Sequence, residues 1–73
     1  MKAYEMRQIL ESKSLDSDVI PFFGGGVTKT MSESTVTFRS INSSALKHIQ
    51  KQIGEGGVLN EGTLTYRLEE STE

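Results

Sequence analysis

Ser43, Ser44 and His48 are the residues in this sequence best equipped for chemistry, since His48 is the chain's single imidazole. Nucleophilic catalysis needs a hydroxyl or thiol, a base and a group that orients the base. Serine is plentiful here, but it falls in caps and turns. Ser44 and His48 at i and i+4 of a helix also make an ordinary solvent-exposed pair. Two carboxylate pairs, Asp16 with Asp18 and Glu69 with Glu70, could in principle share acid and base roles. One pair lies in a turn and the other in a polar tail, so both are left to water. Gly24-Gly25-Gly26 followed by Thr28, Lys29 and Thr30 has the residue types of a phosphate cradle. Such a loop runs into a helix N-terminus, however, and the residues after this one read as a strand. A hinge or tight turn is the simpler use. Cysteine is absent, which excludes disulfides and thiolate metal sites, and one histidine cannot build a zinc site alone. No catalytic, cofactor-binding or metal-ligating residue is assigned, and the chain is expected not to be an enzyme.

The residues suited to binding are of two kinds. Val19-Ile20-Pro21-Phe22-Phe23 is the most hydrophobic run in the chain, set inside a segment of turn chemistry. Either its rings fold back as a lid on the core, or Ile20, Phe22 and Phe23 form an exposed anchor for a partner or a second copy. Aromatic residues suit that second role because they bury large areas with few rotors. The cations Arg39, Lys47, Lys51 and Arg67 are the best basic patch available, for nucleic acid or an acidic partner. Arg39 and Arg67 share a strand face with Thr35, Thr37, Thr63 and Thr65. The aromatics that an RNA-reading sheet would place there fall on the opposite parity.

The elements that must position these residues follow from periodicity and punctuation. Met6, Ile9 and Leu10, with Ala3 one turn earlier, form one stripe and predict a helix from Lys2 to about Ser14. The N-terminal residues offer no Ser, Thr, Asp or Asn cap, and a strand over Lys2–Arg7 competes. Residues 14–26 break regular structure through Asp16-Ser17-Asp18, Pro21 and the glycine run. Val27 to Ile41 reads as two strands joined near Ser32-Glu33-Ser34, with Val36 and Phe38 on one face. Asn42-Ser43-Ser44 caps a helix over about Ser43–Ile53, with Leu46, Ile49 and Ile53 on its apolar side and Gly54 closing it. Val58-Leu59 can start a short strand turned by Asn60-Glu61-Gly62. Thr63 to about Glu69 alternates again, with Leu64, Tyr66 and Leu68 on one face. Residues 70–73 are expected to be a mobile polar tail. The resulting expectation is one α+β domain over residues 1–73, in the order α-β-β-α-β. Its sheet would be three-stranded and mixed, its last two strands parallel through a right-handed crossover, and both helices would cover one face.

Composition narrows the function. At 73 residues with 34% apolar content, the core is thin, and small domains offset such a deficit with a disulfide, a metal or another subunit. Only self-association remains open here. A net charge of −2 is too acidic for a general nucleic-acid binder and too mild for a DNA mimic. No apolar run approaches the roughly 20 residues that a membrane span requires. Charged residues occupy Met1–Arg7 where a signal peptide would be apolar, so a complete cytoplasmic gene product is the default expectation. In size, lack of cysteine and mild acidity the chain resembles the small inhibitors encoded by bacteriophages and other mobile elements, anti-CRISPR and anti-defence proteins among them. That resemblance implies a cofactor-free, protein-binding module that blocks a larger machine. Two alternatives stay open: a small nucleic-acid-binding accessory protein using Arg39, Lys47, Lys51 and Arg67, and a structural subunit of a homo-oligomer.

Overall fold

Helix α1 (Ala3–Ser12) starts without a hydroxyl or amide cap. Glu5 makes only the reciprocal half of a capping box, its Oε1 accepting from the Lys2 N–H at 3.0 Å. The competing strand over residues 2–7 is thereby excluded. In this computed structural model the described residues are 2–69, so the expected tail at 70–73 lies outside them. Met6 and Leu10 are buried along the inner stripe of α1. The helix unwinds through Ser14 at φ 60°, and Leu15, whose N–H donates to the Leu10 carbonyl at 2.7 Å, turns back into the core.

Five strands follow, not three. They are β1 (Val19–Ile20), β2 (Val27–Met31), β3 (Thr35–Arg39), β4 (Gly57–Asn60) and β5 (Thr63–Arg67), with helix α2 (Ser43–Ile53) between β3 and β4. The chain order is α-β-β-β-α-β-β, and the sheet runs β1-β2-β3-β5-β4 with every pairing antiparallel. This overturns the three-stranded mixed sheet and its parallel crossover. The reason lies after α2. The chain first lays down β4 at the sheet edge, then reverses at Glu61-Gly62, so β5 enters between β3 and β4 antiparallel to both. Val19-Ile20, in a run broken by Pro21, falls outside the strands expected from the sequence yet pairs with Thr28 and Val27. Val58-Leu59, expected to start a short strand turned by Asn60-Glu61-Gly62, does form β4, a strand that the expected order omits.

Alternation decides where the core sits. Val27, Val36, Phe38, Leu64 and Tyr66 point to one face, and Met6 and Leu10 of α1 with Ala45, Leu46 and Ile49 of α2 join them in one buried cluster. Register stacks like with like: Phe38 opposes Leu64 and Val36 opposes Tyr66. Lys29 shares this parity at the margin, and its Nζ donates to the Asp16 carbonyl at 2.8 Å, tying β2 to the segment before β1.

Gly57 shows how tightly β4 meets this core. A Cβ built there would stand 2.7 Å from Tyr66 Cζ and 2.9 Å from Leu64 Cδ1, so the Tyr66 ring occupies the space a side chain would need. The same ring ends in a hydroxyl that donates to the Gly54 carbonyl at 2.7 Å, tying β5 to the end of α2. Gly57→Ala is expected to cost about 1–3 kcal/mol through overpacking, measured by urea denaturation. Burial raises the Tyr66 phenol above its ordinary value of 10.0. The folded chain therefore keeps a proton that the unfolded chain gives up near pH 10, and stability present below that pH is lost as pH rises through the folded value. Tyr66→Phe should cost about 1 kcal/mol at neutral pH and abolish that part of the alkaline decline in the denaturation midpoint.

Candidate binding site

Asn42 organises one end of the molecule with every polar group it has. Its Oδ1 accepts from the N–H groups of Ser44 at 3.1 Å and Ala45 at 3.4 Å, capping α2. Its Nδ2 donates to the Phe23 carbonyl at 3.1 Å. Its own N–H donates to Ser40 Oγ at 2.9 Å. Ser40 is itself buried, and its N–H donates to the Gly62 carbonyl. One side chain therefore joins the start of α2 to the 22–25 turn, while its backbone, through Ser40, ties in the β4–β5 turn.

The glycine run is shaped by this junction. Gly24 and Gly25 take φ values of +93° and +133°, a region closed to most side chains. A Cβ on Gly24 would meet Asn42 Nδ2 at 3.3 Å, and one on Gly25 would meet Ile41 Cγ1 at 3.3 Å. The run is a tight turn packed against Ile41-Asn42, with strand β2 directly after it, and no helix N-terminus follows to hold a phosphate.

Two large apolar side chains stand out from this turn. Phe23 is 102% exposed and Ile41 is 95% exposed, so neither contributes to the core. Beside them a groove of about 660 Å3 runs onto the uncovered sheet face. Gly25, Gly26 and Ile41 form one part of its wall, and the charged residues Arg39 and Glu61 another.

The three residues of the predicted anchor part company. Ile20 is 4% exposed and packs in the core through β1. Phe22 is half-buried against the core, its ring edge-on to His48 at a centroid distance of 5.6 Å. Phe23 alone projects into solvent. Ile41, which the sequence offered only as the end of a strand, takes the place beside it. Its signal was present in the sequence, as a β-branched apolar residue immediately before a helix cap with no strand parity left to bury it.

The predicted basic patch is also divided. Arg39 and Arg67 lie on the uncovered sheet face, where the register aligns Thr30, Thr37 and Thr65 across three strands and sets Arg39 between Thr28 and Thr63. That face carries two arginines and no carboxylate among its strand positions. Lys47 and Lys51 are exposed on α2, whose inner side packs on the opposite face of the sheet. The sheet thus stands between the two pairs of cations.

Of the residues weighed for chemistry, Ser44 gives its backbone N–H to Asn42, the His48 ring packs on Phe22, and the backbone carbonyls of Asp16 and Asp18 accept from Lys29, while Glu70 lies outside the described residues. Among the described residues no cluster of histidine and carboxylate side chains could hold a metal ion, and no helix is long and apolar enough to cross a membrane.

Asn42→Ala should cost about 1 kcal/mol of stability through the lost cap. Faster amide exchange is expected both in the first turn of α2 and at Gly25, whose N–H donates to Phe22. Exchange that quickens in α2 alone would show that the Phe23 tether is idle. Compared with known protein families, curated proteins and solved structures, the chain matches none of them, so its function has to be read from these residues.

Proposed function

We propose that this chain is a non-enzymatic protein-binding module whose anchor is the pair Phe23 and Ile41. The observation that carries this reading is the near-complete exposure of both side chains on a turn whose backbone is fastened by Asn42. An exposed apolar side chain on a loose loop is unremarkable, but a fixed backbone lowers the ordering cost of binding. Burying a Phe or Ile side chain in a partner is worth about 1.5–3 kcal/mol each. The adjacent groove adds Arg39 and Glu61 for polar complementarity at the rim. A small module seated this way acts by occupying a surface of a larger protein, which is how a blocking inhibitor works. The division of the cations across the sheet gives nucleic acid no continuous basic track.

The test is affinity capture from the native host with nuclease present, comparing the natural chain with Phe23→Ser/Ile41→Ser. Both positions are exposed, so the variant should keep its circular dichroism spectrum and lie within about 0.5 kcal/mol of the parent in stability. A protein retained by the parent and lost by the variant, with affinity reduced about thirtyfold or more, is the expected result. Equal retention by both would remove the anchor, and capture abolished by nuclease would transfer the function to nucleic acid.

A further inference from the structure

The two edges of the sheet are finished differently. At one edge β1 is only two residues long and runs into Pro21, which are protections against strand addition. At the other, the edge strand β4 presents Gly57-Val58-Leu59-Asn60, four residues with no proline and no charge among them. By the antiparallel alternation, every second residue of β4 turns its N–H and C=O away from β5. These groups are a template for one more strand.

The flank of that edge is chemically specific. Between α2 and β4 runs a groove of about 530 Å3 bordered by Ser44, Lys47, His48, Lys51 and Leu59. Lys47 and Lys51 are one helical turn apart, a rise of about 6 Å. Same-face side chains of an extended strand repeat at about 6.8 Å, so the two spacings are commensurate. On the other side of β4, Val58 is 56% exposed and offers an apolar cross-strand neighbour.

We infer that the β4 edge accepts an extended peptide segment with alternating acidic and β-branched side chains, paired antiparallel or parallel as a sixth strand. Main-chain hydrogen bonds to β4 hold it, and alternate side chains supply selectivity. The acids fall on the helix side against Lys47 and Lys51, and the aliphatic residues fall beside Val58. A second copy of this chain fits poorly in a continuous antiparallel sheet, because two β4 edges joined about a twofold axis normal to the sheet would bring Lys47 and Lys51 of both copies together on one face. This surface is independent of the Phe23–Ile41 anchor.

The probe is fluorescein-labelled Val-Glu-Val-Glu-Val-Glu-Val amide, titrated by anisotropy. Comparisons are the same peptide with alternate amides N-methylated and the lysine counterpart Val-Lys-Val-Lys-Val-Lys-Val. The glutamate peptide should bind, the N-methylated peptide should not, and Lys47→Glu/Lys51→Glu should weaken the glutamate peptide about tenfold or more while admitting the lysine peptide. Phe23→Ser/Ile41→Ser should leave these affinities unchanged, which separates failure here from failure of the anchor. The inference is overturned by equal binding of the N-methylated peptide, by equal binding of the lysine peptide to the natural chain, or by no binding of the glutamate peptide. It is also overturned if sedimentation of the chain alone shows a dimer that Val58→Lys dissolves, since the edge would then belong to a second copy.

Discussion

Strict alternation along β3 and β5 places Val36, Phe38, Leu64 and Tyr66 on one face of the sheet, and the supply of apolar residues allows only that face to be covered. Both helices send their buried residues there. The opposite face is built from threonines and arginines, which favour a pleated strand without demanding burial. Exposure of one whole face is therefore a consequence of composition, and apart from Tyr4 on α1 the large exposed apolar side chains lie on the two edge strands and beside the turn at Asn42. Phe23, Ile41 and Val58 are each outside the core for a local reason, through the turn at Asn42 or the parity of β4.

The helices were legible because each carries its signals close together. Asn42, Leu46, Ile49 and Gly54 fall within one short stretch, and the structure uses each as its type suggests. Strands β2, β3 and β5 were legible from alternation. What escaped was length and order. A strand of two residues such as Val19-Ile20 has no period to detect. The strand at Val58-Leu59 and its turn were visible, but with only two apolar residues to place it nothing in the sequence set it at the edge beyond β5, and the direction of β5 follows from that placement.

At the candidate site the sequence singled out the loop that carries Phe23 but could not tell its three apolar residues apart. Composition marks Ile20, Phe22 and Phe23 alike, and only pairing distinguishes them. Ile20 pairs with Val27 and is drawn inward, Phe22 meets His48, and Phe23 is left outside. Ile41 could not be joined to Phe23 by sequence because the link runs through Asn42, whose cap role was evident but whose second hydrogen bond reaches back nineteen residues. The four cations were likewise read as one patch since nothing in their spacing reveals that a sheet lies between Arg39 and Lys47.

A last consequence comes from the bridge between Lys2 and Glu69, which run side by side in parallel. The segment leading into α1 and the segment leaving β5 are neighbours, so the path of the backbone is close to a closed ring. Because the two run parallel, a linker that doubles back from Glu69 to Lys2 is needed to close the ring; with it in place, a cut at Ser32–Ser34 leaves the pairings of β1 to β5 as they are. Such a rearranged chain would start with β3 and finish with β2, carrying the same core in a different linear order. The architecture is in this sense tied to the circuit of contacts and only loosely to the linear order of its elements.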